Sequence, residues 1–408
     1  MLTPMQPTSP SARPLAPAPL RLEGRLVLGE AVVPGSLLLE DGWIREVREE
    51  PDNAAAATGP YLAPGFIDVH CHGWGGHDAT GDAGALTGMA HALLKRGVTS
   101  FLPTAPTLSR ADTVAFAERV RAWMPGATTG GAEPLGFNLE GPCIAPARKG
   151  AHDAALLLAP GALDEGVLAA LLDGLRIITI APELDGAPSL IARLAARGVA
   201  VSLGHSNATL VQAQAGFAAG ARTTTHLFNA MSGVDHRTPG LAAAALADDG
   251  AFVELIADGH HVHPALWPLV ARTKPADRLV LVSDALAVAG TGDGQGRVGG
   301  LDVEVRDGRA TLRGTDTLAG SVIALDAAVR NMVLSGAATL PSAIAAASAN
   351  PAALLGAHDR GRLEAGRRAH LLELDDDLRV LRVTRGGGWV AGARSGDTRA
   401  PGAHPASR

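Results

Sequence analysis

This α/β sequence predicts a (β/α)8 TIM barrel with a small β-sandwich domain built from both chain ends. Three observations carry the prediction. Eight apolar, strand-like segments recur through the middle of the chain, Ala/Leu-rich helical stretches follow most of them, and short β-like pieces separated by turn residues occupy both ends. The strand candidates are 66–72, 99–105, 134–140, 176–182, 199–205, 222–228, 252–258 and 278–284. The helix candidates include 84–96, 110–123, 209–220 and 263–273. An open doubly wound sheet is the alternative, but no glycine fingerprint of the dinucleotide-binding type follows the first strand.

At the N-terminal end, 21–28, 31–39 and 43–47 read as strands, with Asp41-Gly42 as a hairpin turn. A comparable series returns at 369–374, 378–383 and 389–393. The simplest arrangement joins 20–63 and 362–398 in one small domain and leaves 64–361 for the barrel. Residues 1–19 are rich in Pro, Ser and Ala, have no apolar run resembling a signal peptide, and read as a flexible tail.

Composition narrows the function. The 408 residues are 47% hydrophobic and 19% charged, which suits a globular protein. With 50 Gly and only 3% aromatic residues, the core is expected to pack small side chains. A net charge of -6 offers no basic footprint for nucleic acid. No segment reaches the roughly 18 uninterrupted apolar residues of a membrane span. Two cysteines, Cys71 and Cys143, are too few for a disulfide framework, so a reducing cytoplasm is the expected location.

The first barrel strand ends in Phe66-Ile67-Asp68-Val69-His70-Cys71-His72-Gly73. Strand alternation sends His70 and His72 to one face and Cys71 to the other, and two converging imidazoles are a ready pair of ligands for a divalent metal. The pattern continues downstream, where Glu140, His205, His226 and Asp284 each close an apolar segment. In a TIM barrel, C-terminal strand ends share one mouth. A His, Asp and Glu set without thiolate suits Zn²⁺ or Fe²⁺ with a position open to water, whose pKa then falls toward about 7. Asp284, on the last strand, is the best-placed carboxylate to accept that proton.

More extended motifs surround these residues. They include Pro64-Gly65-Phe66-Ile67-Asp68, Leu139-Glu140-Gly141-Pro142, Lys149-Gly150-Ala151-His152, Gly204-His205-Ser206-Asn207-Ala208-Thr209, Thr225-His226-Leu227-Phe228-Asn229-Ala230-Met231, Ala257-Asp258-Gly259, Ser283-Asp284-Ala285 and Leu318-Ala319-Gly320-Ser321. From about residue 20 to 395 the chain resembles the amidohydrolase superfamily, and more narrowly its N-acetylglucosamine-6-phosphate deacetylases. The resemblance implies that Glu140, His205 and His226 hold a principal metal. It places His70 and His72 at a second position, with Asp284 nearby and Glu140 as a possible bridge, so one or two metals are expected. Asp284 would be the general base and then the general acid, and His152 would polarise the acetamide carbonyl.

The resemblance also implies that Asn229, the backbone at Ala230, Arg237 and His261 grip a sugar phosphate, with Arg237 reaching across from a second subunit of a homodimer. His260 and His263 flank His261 and leave open which imidazole serves. The implied reaction is hydrolysis of N-acetylglucosamine 6-phosphate to glucosamine 6-phosphate and acetate. The same chemistry on the galactosamine epimer is the nearby alternative. A cyclic-amide hydrolase of the superfamily would usually bridge its metals with a lysine, and a non-catalytic amino-sugar-phosphate sensor would be expected to have lost Asp284. Cys71 and Cys143 read as bystanders and Ser206 as support for the histidine before it.

Overall fold

A computed structural model describes residues 19–127 and 130–392. The Pro-rich stretch 1–18 and the end of the chain from 393 lie outside the described residues.

Eight strands, Phe66–Cys71, Val98–Ala105, Phe137–Leu139, Leu175–Ile180, Ala200–Leu203, Thr223–Thr224, Phe252–Leu255 and Leu279–Leu281, each pair in parallel with the next. The ring is completed by a parallel bridge between Cys71 and Ala285 and a bond from Asp284 N to His70 O of 2.8 Å. This is the expected TIM-type barrel. Its helices include Ala83–Leu94, Arg110–Trp123, Leu210–Ala218 and Trp267–Thr273. The first three start at Asp82, Ser109 and Thr209, whose side chains accept the N3 backbone N–H, and Thr209 forms a full capping box with Gln212. The expected helix 263–273 is divided, with a 3-10 turn at Pro264–Leu266 preceding the α-helix.

Several strands stop sooner than their apolar runs suggest. The runs 199–205, 222–228 and 278–284 pair only over Ala200–Leu203, Thr223–Thr224 and Leu279–Leu281. The reason is local: His205, His226 and Asp284 take left-handed φ values of 48°, 29° and 50°, which ends a strand and turns the side chain toward the mouth. Such conformations are costly for residues with a Cβ, and Phe228 (φ 76°) and Ala230 (φ 47°) extend the strain along the same loop.

Inside the barrel, small polar groups meet. Thr225 Oγ1 bonds to Ser202 Oγ (2.6 Å) and Thr179 Oγ1 (2.8 Å), and Asn138 Nδ2 donates to Val69 O at 2.9 Å. The apolar core lies between strands and helices, where Phe116 and Phe137 pack edge to face with centroids 5.7 Å apart.

The chain ends form a separate sheet of seven strands, in the order Gly388–Gly392, Val380–Arg385, Leu371–Leu374, Tyr61–Pro64, Leu20–Val27, Val32–Glu40 and Trp43–Glu49. It curls so that Trp43 bridges Arg368 and Ile44 N donates to Arg367 O at 2.8 Å. The two halves thereby face one another over Leu22, Leu26, Leu37, Ile44, Leu62 and Leu371. A third sheet was not expected from the sequence: Gly294–Val298, Leu301–Arg306 and Arg309–Leu312 form an antiparallel insertion after the eighth strand. It packs toward Ala151 through a small core containing Val298, Val303 and Ala310. Among the described residues no helix is long and apolar enough to cross a membrane.

Candidate metal and active site

Two groups of ligand-type side chains meet at the barrel mouth and share Glu140. One comprises His70, His72, Glu140 and Asp284; the other Glu140, His205 and His226. All are buried, with at most 5% exposure. Glu140 Oε1 lies 2.9 Å from both His205 Nε2 and His226 Nε2, while Oε2 lies 3.1 Å from His72 Nε2. Asp284 Oδ1 is 3.2 Å from His72 Nε2 and 3.5 Å from His70 Nε2.

The far side of each imidazole decides what the near side can do. His70 Nδ1 faces Glu254 Oε2 (3.1 Å), His72 Nδ1 faces Thr104 O (3.1 Å) and His205 Nδ1 faces Arg148 O (2.9 Å). These oxygens can only accept, so each Nδ1 carries the proton and each neutral ring turns a bare Nε2 lone pair inward. His70 Nε2 and His72 Nε2 then stand 3.3 Å apart, and His205 Nε2 and His226 Nε2 3.0 Å apart. The lone pairs of His70, His72 and His205, held this closely beside carboxylates, call for a cation, and the second bonds of these three rings orient them as metal ligands require, whereas His226 Nδ1 has no partner among the described residues.

His152 is wired the opposite way. Its Nδ1 accepts the Thr107 backbone N–H at 3.1 Å, so the neutral ring bears its proton on Nε2, 3.2 Å from Glu140 Oε2. It is therefore a hydrogen-bond donor at the site. Burial, which outweighs the nearby Glu140 carboxylate, lowers its pKa and keeps the ring neutral.

Without a cation the same charges act on protons. Burial opposes a charge on His72, yet the Asp284 and Glu140 carboxylates raise it to about 9. Burial likewise works against the Asp284 carboxylate, but His70 and His72 bring it down to about 2, so Asp284 is ionised. Burial pushes Cys143 up to about 12 and Cys71 well above its ordinary value, leaving both as inert thiols.

The amidohydrolase family model matches residues 61–390. The chain belongs to the amidohydrolase family. Among its relatives, an N-acetylgalactosamine-6-phosphate deacetylase from Escherichia coli O157:H7 is 38% identical over 87% of this chain and 93% of that protein. An N-acetylglucosamine-6-phosphate deacetylase from Rattus norvegicus is 39% identical, covering 85% of this chain and 90% of the relative. The structure of a mutant N-acetyl-D-glucosamine-6-phosphate deacetylase from Mycobacterium smegmatis, in complex with N-acetyl-D-glucosamine-6-phosphate, superposes with a TM-score of 0.84 at 36% identity. It covers 92% of this chain and all of that one. Amidohydrolases depend on divalent metal, and the donor set at this mouth fits one.

The other residues singled out in this amidohydrolase sequence lie on the surrounding loops. Asn229 is half-buried and bonds back to the carbonyls of His226 (3.2 Å) and Leu227 (3.1 Å). His261 is the inward member of its histidine group: its Nδ1 lies 2.7 Å from Asp258 Oδ2, whereas His260 and His263 are exposed. Arg237 stands exposed in a loop ordered by Asp235, and its guanidinium has no bonded partner among the described residues. Ser206 Oγ donates to Glu183 at 2.7 Å, fastening the loop that carries His205.

Sequence reading missed Glu254, the acceptor of His70 Nδ1. The available signal was an acid inside the apolar run Ala251-Phe252-Val253-Glu254-Leu255-Ile256-Ala257. The Leu318-Ala319-Gly320-Ser321 motif acts on Asp284: Ser321 N donates to Asp284 O at 2.7 Å, and Gly320 (φ 60°) is so close that a Cβ would lie 2.8 Å from the same oxygen.

Proposed function

We propose that the protein hydrolyses the acetamide of N-acetylglucosamine 6-phosphate to glucosamine 6-phosphate and acetate. The observation that carries this reading is the opposed wiring of the histidines around Glu140, with an ionised carboxylate, Asp284, facing the same centre. A bound divalent ion would acidify a water and polarise the acetamide carbonyl. Asp284 accepts the proton of the attacking water and returns it to the departing amine. His152 donates its Nε2–H to the carbonyl oxygen as negative charge develops there. Asn229, the backbone at Ala230 and His261 hold the sugar phosphate, together with Arg237 from the second subunit of a homodimer.

Glu140, His205 and His226 would hold a principal metal, and His70, His72 and Asp284 a second, with Glu140 belonging to both groups; Zn²⁺ or Fe²⁺ would be the ion. The charge inventory supports two. Asp68, Glu140, Glu254 and Asp284 are four buried carboxylates, none bonded to a Lys or Arg among the described contacts, and two divalent ions would balance them. Two buried free thiols fit a cytoplasmic setting.

The test is acetate release by Zn²⁺- or Fe²⁺-reconstituted protein from N-acetylglucosamine 6-phosphate, its unphosphorylated form and the galactosamine epimer. Preference for the first supports the reading; preference for the epimer keeps the mechanism and changes the substrate. Silence on all three overturns it.

A further inference from the structure

Glu254 sits in the seventh barrel strand, Phe252–Leu255, fully buried and directed at the histidines of two other strands. A single oxygen, Oε2, receives both the Nδ1–H of His70 at 3.1 Å and the backbone N–H of His226 at 3.2 Å. The other, Oε1, has no partner among the described residues. Glu254 is thus connected to one residue from each ligand group and ligates in neither. A buried carboxylate with two donors and no cationic side chain is unfavourable by itself and gains from nearby positive charge.

We propose that Glu254 is a positioning residue that fixes His70 as an Nε2 ligand and thereby sets the occupancy of the metal position made with His72 and Asp284. The inference rests on the two-metal reading above. With the carboxylate in place, His70 keeps its proton on Nδ1 and its lone pair on Nε2. Without an acceptor there, nothing holds that tautomer, and a ring protonated on Nε2 cannot ligate. The other position draws on His205 and His226, whose rings have no bond to Glu254; only the His226 main chain does. The effect is therefore selective for one metal of the pair.

The experiment is a Co²⁺ titration of metal-free protein followed by visible absorbance, with a competing chelator, on the wild type and on Glu254→Gln and Glu254→Leu. Metal content after dialysis and thermal melting are measured in parallel. Two equivalents are expected in the wild type. In the variants the tighter equivalent stays unchanged and the weaker loses affinity by about 10- to 100-fold. Glu254→Gln, which retains an acceptor oxygen, should lose less than Glu254→Leu; it also carries the test if the leucine variant does not fold. Two unchanged affinities in folded Glu254→Gln and Glu254→Leu, or in the Gln variant alone if only it folds, would overturn the role of Glu254 and leave the two-metal reading standing. Equal weakening of both equivalents would reduce Glu254 to a structural residue. One equivalent in the wild type, lost in His226→Ala and kept in His70→Ala, would overturn both.

Discussion

His152 and His205 lie with ring centroids 4.7 Å apart and use Nδ1 in opposite senses, His205 donating to the Arg148 carbonyl and His152 accepting from the Thr107 amide. Main-chain atoms thereby give two neighbouring imidazoles different capacities, one turning a lone pair inward at Nε2 and the other an N–H. The same contrast separates the expected effects of their removal. His205→Ala should lose metal along with activity. His152→Ala should retain its metal while kcat falls by about 10²- to 10³-fold. Metal analysis beside steady-state kinetics checks both, and metal loss in His152→Ala would refute the assignment.

Asp284→Asn removes the proton acceptor and keeps the shape of the side chain. Turnover should fall by about 10²- to 10⁴-fold while binding of the phosphorylated substrate survives. Near-normal acetate release would exclude Asp284 as the base.

Arg237 is exposed, and its guanidinium has no bonded partner among the described residues. Arg237→Ala should raise KM for the phosphorylated substrate by about 10- to 100-fold and leave the unphosphorylated sugar unaffected. If Arg237 acts across a dimer, mixing Arg237→Ala with Asp284→Asn should restore activity, because the hybrid has one complete site. Failure of mixed, exchanged subunits to recover activity would place Arg237 in its own chain's site.

His370 supplies a pH dependence that does not involve the metal. It is buried, its Nδ1 has no partner among the described residues, and burial followed by Arg360, Arg385 and Arg368 depresses it to about 3. Because the folded pKa lies below the unfolded one, its contribution is fully present above about pH 6.5. It is lost as the pH falls toward 3, when the unfolded chain takes up a proton the folded chain refuses. Thermal melts from pH 7 to pH 4 should show a decline that His370→Gln reduces by the order of a few kcal/mol. Identical slopes would show that His370 is not the group responsible.

The residues that gather at the barrel mouth were legible because each closes an apolar run with a polar side chain, a pattern that barrel topology converts into proximity. The wiring behind them was not. Thr104 and Arg148 act through main-chain oxygens, which any residue could provide, and Glu254 meets His70 across a separation of 184 positions. The left-handed turns at His205, His226 and Asp284 were also hidden, since no glycine marks those positions. The insertion from Gly294 to Leu312 escaped notice because its strands mix glycine and charge with only a few apolar residues.

Gly320 gives a direct probe of how Asp284 is held. Gly320→Ala adds a methyl at a left-handed φ and against the Asp284 carbonyl oxygen. The variant should lose activity through a lower kcat, with far-UV circular dichroism unchanged. Full activity would mean the Leu318-Ala319-Gly320-Ser321 loop does not position Asp284.

The seam that joins Cys71 to Ala285 ties the first and last strands of the ring, as does Asp68, which accepts from the Ser283 amide 215 positions away. During synthesis, a chain that has emerged only as far as the seventh strand already carries His70, His72, Glu140, His205 and His226, but no Asp284 and nothing to close the gap beside the first strand. On the two-metal reading, the second ion would therefore be held only once the eighth strand is in place to supply Asp284 beside His70 and His72.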